Sequence, residues 1–178
     1  QVQFGNTENS EPTSGDSFET AKLFICHSSN GVGGVGRSFR SHVANSIIDL
    51  SKDSIRPVHY NCWEAIYFDH NIDQLKEIAS LAFEIGAERF VLDDGWFKDR
   101  NNAKSSLGDW VVDKKKYPDG LHPLIKHINS LGMSFGLWFE PEMVSPDSDL
   151  YRRHPEWIMG HKDQTLGRDQ LVLNISIK

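Results

Sequence analysis

The chain has 178 residues, 38% hydrophobic and 11% aromatic, with a formal charge of −6. This is enough apolar material for the packed core of one domain, or of one domain and part of another. The acidic balance argues against nucleic acid or an anionic membrane surface as the main partner, and no apolar run approaches the ~20 residues of a membrane span.

Residues 5–17 are polar, with Gly, Pro, Ser, Thr and Asn, and read as a loop or linker. A short strand is expected over Ala21–Cys26, then the glycine run GVGGVG as a helix lead-in, then a helix from Arg37 to Leu50. RPVHYNCW, Arg56–Trp63, reads as a strand opened by Pro57. Asn71–Gly86 carries the best helical pattern: Asp73 lies near its start, Leu75, Ile78, Ala79, Ala82 and Ile85 share a face, and Gly86 ends it. Arg89–Asp93 is the next strand. After a loop to about Asp119, Leu121, Leu124, Ile125, Ile128 and Leu131 recur at helical spacing up to Gly132. Ser134–Phe139 is a third strand, followed by Glu140-Pro141-Glu142, a short helix around Asp147–His154 and a fourth strand, Gln170–Ile175.

Alternating strands and helices define an α/β fold with a parallel sheet and right-handed crossovers. Each strand from Arg56 onward ends on chemistry-bearing residues: Trp63-Glu64, then Asp93-Asp94-Gly95-Trp96, then Trp138 to Glu142. Loaded carboxyl ends are how a (β/α)8 barrel or an open doubly wound sheet builds its active face.

Gly31, Gly33 and Gly36 satisfy the dinucleotide fingerprint G-x-G-x-x-G, yet the following strand ends in Asn61 instead of the acid that would hold a ribose. The carboxylates Asp93, Asp94, Glu140 and Glu142 suit an acid/base pair, a metal cluster or acceptors for ligand hydroxyls. None of the eight histidines lies beside them or at H-x-x-x-H spacing, so no metal site is expected. Two adjacent aspartates at a strand end are also an ordinary solvated turn when followed by glycine. Trp63, Trp96 and Trp138 are either core residues or apolar faces for a sugar ring, and Asp109-Trp110 reads as a loop anchor. His59 is expected to be a satisfied core or barrel-lining residue, and Lys114-Lys115-Lys116 a solvated face. Cys26 and Cys62 are too isolated for a disulfide scaffold or zinc finger. Ser105-Ser106 has no triad partners in view.

WEAIYFD, RFVLDDGWF, SSLGDWVVD, YPDGL, LGMSFGLWFEPEMVSPDSDLYRRHPEW and GRDQLVLNIS together resemble glycoside hydrolase family 36, the α-galactosidases of the melibiase and raffinose-cleaving type. The resemblance runs from about Ser17 to Lys178. It implies that residues 1–50 are the tail of an N-terminal β-sandwich domain with a helical linker, and that 51–178 are the first strands and helices of a catalytic (β/α)8 TIM barrel. That gives the glycine run a structural role. It implies that Asp93 and Asp94 accept hydrogen bonds from the C4 and C6 hydroxyl side of galactose, with Trp63 and Trp138 lining the sugar pocket and Arg168 binding substrate.

The family resembles other retaining α-galactosidases, in which one aspartate attacks the anomeric carbon and a second serves as acid and then base. Its nucleophile lies in a Lys-Trp-Asp motif, which this sequence lacks. The resemblance therefore places both catalytic groups beyond Lys178. Both ends read as cut, and the isolated chain is expected to be inactive and aggregation-prone, with an open sheet edge. Expected partners are α-galactoside oligosaccharides such as melibiose and raffinose, with no cofactor, nucleic acid or membrane, in a full-length protein that forms a homotetramer. The compartment is cytoplasmic for a bacterial source and secreted for a fungal one. A galactosyl-transferring relative, an α-N-acetylgalactosaminidase and a non-catalytic sugar-binding relative stay open, with a nicotinamide-dependent dehydrogenase as the outsider.

Overall fold

The computed structural model describes residues 23–48, 56–160 and 167–176. The chain divides into two compact units, Gln1–Arg56 and Pro57–Lys178.

In the first unit one helix, α1 (Gly31–His42), runs into a wider helical turn over Val43–Ile47. Residues 23–26 have no regular structure, so the strand expected at Ala21–Cys26 is not formed there; its first two residues lie outside the described range. The glycine run is no lead-in: α1 begins at Gly31, and the glycines lie inside it. Glycine costs about 1 kcal/mol in a helix, but a Cβ on Gly34 would fall 2.0 Å from the Ser28 hydroxyl oxygen. The close approach of Ser28 requires that glycine. With these amides inside helical turns, the loop that a dinucleotide fingerprint needs before its helix is missing.

The second unit is built on a parallel sheet ordered β1 (His59–Asn61), β2 (Arg89–Leu92), β3 (Ser134–Leu137), with Asn61 opposite Val91 and Val91 opposite Gly136. β1 leads into the short helix α2 (Trp63–Ile66), followed by α3 (Ile72–Glu84); α4 (His122–Ser130) links β2 to β3. The start of α3 is set by Asn71, whose side chain accepts from the amides of Asp73 (2.9 Å) and Gln74 (3.2 Å).

Both long helices stop in the same way. Gly86 and Gly132 adopt φ of +93° and +89°. Around them Ala87 N–H reaches Ala82 O and Gly86 N–H reaches Phe83 O, just as Met133 reaches Ile128 and Gly132 reaches Asn129. These paired bonds satisfy the last carbonyls and turn the chain straight into the next strand. Leu75, Ala79 and Ala82 of α3 and Leu124 and Ile128 of α4 are buried in one cluster with Phe90 and Leu92 of β2. The alternation along β2 leaves Arg89 and Val91 half-buried on its other face.

Details of the second unit also depart from the sequence reading. The fourth strand is only Leu171–Val172 (β5), and it pairs antiparallel with Met143–Val144 (β4) outside the parallel sheet. After β3 the chain lays down β4 first, whose free ladder groups receive β5, while α5 (Asp149–Arg153) is too short for a full crossover. His59, at the start of edge strand β1, is exposed instead of lining a core. Lys116 is half-buried, not solvated: its ammonium donates to the carbonyls of Gly95 (2.8 Å), Arg100 (2.8 Å) and Phe68 (3.3 Å). No helix among the described residues is long and apolar enough to cross a membrane.

Candidate sugar-binding cleft

The carboxyl ends of the parallel strands open into a cleft of about 410 Å³ lined by Trp63, Asp93, Asp94, Trp138, Phe139, Glu140, Glu142 and Arg168. All five site residues anticipated from sequence therefore meet at one place. Trp63 opens α2 just after β1, Asp93 and Asp94 follow β2, and Trp138 follows β3. Arg168 arrives from the turn before β5 and holds φ +68°, a left-handed conformation that costs a non-glycine residue of order 1 kcal/mol.

The two aspartates tolerate each other because different groups hold them. Asp93 accepts from the side-chain amide of Asn61 and, through Oδ1, from the Asp94 N–H at 2.7 Å. Its own N–H donates to the buried Cys62 sulfur at 3.4 Å. Burial pushes the Cys62 thiol up to about 11, so it stays a neutral thiol near neutrality. Asp94 is gripped by Arg100, with Nε to Oδ1 at 2.9 Å and Nη2 to Oδ2 at 2.8 Å. The Arg100 side chain is 0% exposed and that of Asp94 4%.

The backbone beneath is pinned as well. His70 Nε2 faces two carbonyls, Asp94 O (2.9 Å) and Tyr67 O (3.1 Å), so this nitrogen carries the proton. Nδ1 then accepts from the Tyr117 hydroxyl at 2.6 Å. Burial, helped by the Lys116 charge, lowers His70 to about 4 and keeps the ring neutral. Gly95 is tight against it: a Cβ there would sit 2.8 Å from His70 Nε2, at φ +110°.

The opposite side of the cleft is looser. Arg168 Nη2 stands 3.5 Å from Glu140 Oε1, and the Arg168 side chain is 51% exposed. Glu140 Oε2 is buried with no hydrogen-bond partner among the described residues. Burial raises the Glu140 carboxyl above its usual range, partly opposed by Arg168. Aromatic rings fill the space behind: Trp96 packs on Trp110 and Phe139 with centroids 6.2 and 5.3 Å away, and its indole N–H donates to Trp138 O at 3.0 Å. The reading of Asp109 as an anchor fits, since its carboxylate accepts the Asp149 and Leu150 amides, each at 2.8 Å, at the start of α5.

Asn61 and Arg100 are the residues that sequence reasoning missed. In sequence Asn61 reads only as the missing ribose-binding acid, although its place at the end of β1, beside the β2 terminus, signals its reach to Asp93. Arg100 sits in the polar run KDRNN and gives no signal of burial. No group of three or more His, Cys, Asp or Glu among the described residues is arranged to hold a metal ion.

A short parallel sheet with acceptors and tryptophans at its carboxyl edge defines an α/β protein with a cleft suited to a polar, hydroxyl-rich ligand. The Melibiase family model matches residues 17–178, and the chain belongs to that family. It is 49% identical over 160 residues to an α-galactosidase of Escherichia coli, an alignment covering 89% of this chain and 23% of that protein. Its fold is similar to the crystal structure of the family 36 α-galactosidase AgaB of Geobacillus stearothermophilus, with a TM-score of 0.66 and 52% identity over 71% of this chain and 18% of that one. A variant of AgaA from the same organism, solved in complex with raffinose, matches with a TM-score of 0.64 and 50% identity, over 69% of this chain and 17% of that one. The chain thus spans about a quarter of the length of the curated relatives it matches.

Proposed function

We propose that this chain is the galactose-gripping segment of an α-galactosidase that removes terminal α-linked galactose from oligosaccharides such as melibiose and raffinose. One observation carries the reading: Asp93, Asp94, Trp63, Trp138 and Arg168, from separate elements, line a single cleft at the carboxyl edge of the parallel sheet. Carboxylates accept strong charge-assisted bonds from sugar hydroxyls, and a site built for an axial hydroxyl rejects the epimer lacking it there. The tryptophans offer apolar faces to the C–H side of the ring. The raffinose bound to the AgaA variant supports this substrate class.

In this reading β1 to β3 are the first strands of a (β/α)8 barrel, preceded over residues 1–50 by the tail of a β-sandwich and a linker, in a tetrameric full-length protein. The half-buried second face of β2, which a complete parallel sheet would cover, supports that arrangement. Arg168 binds substrate from the rim. The nucleophile and the acid/base of a retaining reaction belong to other segments of the enzyme, so the role of this chain is to bind and orient.

Hydrolysis of nitrophenyl α-galactoside and nitrophenyl α-glucoside by the full-length protein tests the proposal. We expect the galactoside to be preferred at least about a hundredfold in kcat/KM, and no turnover by the isolated 178-residue chain. Equal rates on the two epimers, or turnover by the chain alone, would overturn it.

A further inference from the structure

We propose that Arg100 is a positioning residue for sugar recognition, orienting the Asp94 carboxylate so that each oxygen keeps one free lone pair for a ligand hydroxyl. The proposal deepens the galactoside reading and rests on it.

Arg100 is fixed from several sides. Nε and Nη2 form the fork to Asp94, Nη1 donates to Ser105 O at 2.6 Å, and its carbonyl accepts from Lys116 at 2.8 Å. The guanidinium carbon lies 5.5 and 5.6 Å from the ring centroids of Phe68 and Phe97. A carboxylate offers about four acceptor sites, and a two-bond fork takes one on each oxygen. Asp94 nonetheless lines the cleft, so the remaining lone pairs are the ones available to a ligand.

Stability alone gives no reason for this pair. A buried ion pair is on average no better than apolar residues of the same volume, because desolvation offsets the attraction. Recognition does give a reason. Asp93, Asp94, Glu140 and Glu142 share one cleft, with Arg168 as the single cation among its described lining residues. A second cation beneath Asp94 offsets repulsion among these acids and fixes one acceptor's direction without entering the ligand space. Lysine could not reproduce it, since an ammonium is a point donor without a planar fork.

The test uses the full-length protein and three analogues of nitrophenyl α-galactoside, lacking the hydroxyl at C2, C4 or C6. The readout is the ratio of kcat/KM for the parent to that for each analogue, in wild type, Arg100→Lys and Arg100→Met. Partial unfolding lowers all substrates alike and cancels in the ratio, so a purely structural role leaves it unmoved. We expect wild type to penalise loss of the C4 or C6 hydroxyl, and both variants to lose about tenfold or more of that penalty, while the C2 ratio holds. Should Arg100→Met fail to fold, Arg100→Lys keeps the buried charge and supplies the ratio. Unchanged C4 and C6 ratios in Arg100→Lys would overturn the positioning role and leave the galactoside reading standing. A wild type indifferent to all three hydroxyls would remove the galactoside reading itself, and the role of Arg100 with it.

Discussion

The two sides of the cleft are built on different principles. On the Asp94 side a fully buried arginine closes two bonds of 2.8 and 2.9 Å, and His70 and Lys116 hold the backbone below. On the Arg168 side a contact of 3.5 Å links a half-exposed arginine at positive φ to a glutamate with one oxygen unpartnered among the described residues. A preformed acceptor loses no side-chain entropy when a hydroxyl arrives, whereas an exposed arm must be ordered by the ligand. Under the proposed function, the first side would discriminate hydroxyls and the second would capture adjustably.

The largest expected effect comes from the rigid side. Asp94→Ala leaves Arg100 buried and unpaired, which should lower folding stability by about 3–5 kcal/mol, measurable by urea denaturation of the full-length protein. Glu140→Gln should leave that stability unchanged; if both substitutions cost the same, the proposed asymmetry is wrong. An intermediate effect should appear with pH. His70 is lowered from 6.5 to about 4, so its contribution is fully present above pH 6.5 and is lost as pH falls towards 4. Over that window the loss is on the order of 3 kcal/mol, and His70→Asn should flatten it in denaturation curves. An equally steep acid limb in the variant would refute the assignment. The smallest effect belongs to the loose side: Glu140→Gln should raise KM by about tenfold or less, since a 3.5 Å pair with a half-exposed arginine contributes little, with kcat nearly unchanged in steady-state kinetics.

Much of this was legible in the sequence where local chemistry is self-contained. Asn71 and Gly86 bracket α3, and Trp63, Asp93, Asp94, Trp138, Glu140 and Glu142 at the strand ends converge on the cleft as their positions implied. Trp96, by contrast, is buried in the core, and Glu64 does not line the cleft. Partners set by tertiary packing were not legible. Arg100 and Lys116 stand among polar neighbours that look solvated, and only the folded loop shows one beneath Asp94 and the other satisfying three carbonyls. Gly34 looks flexible in sequence, whereas its place in α1 is fixed by the Ser28 side chain against it. β5 reads as a parallel strand because residue pattern carries no information about which neighbour a strand meets.

The central claim is that the Asp93–Asp94 pair is the hydroxyl-gripping element of the cleft. Its most direct test is kcat/KM for melibiose in the full-length protein carrying Asp93→Asn and Asp94→Asn together, with circular dichroism confirming the fold. Near-isosteric amides keep the shape but remove the charge and half the acceptor capacity, so the account predicts a fall of about a thousandfold or more. A folded double variant that cleaves melibiose within a few-fold of wild type would contradict it.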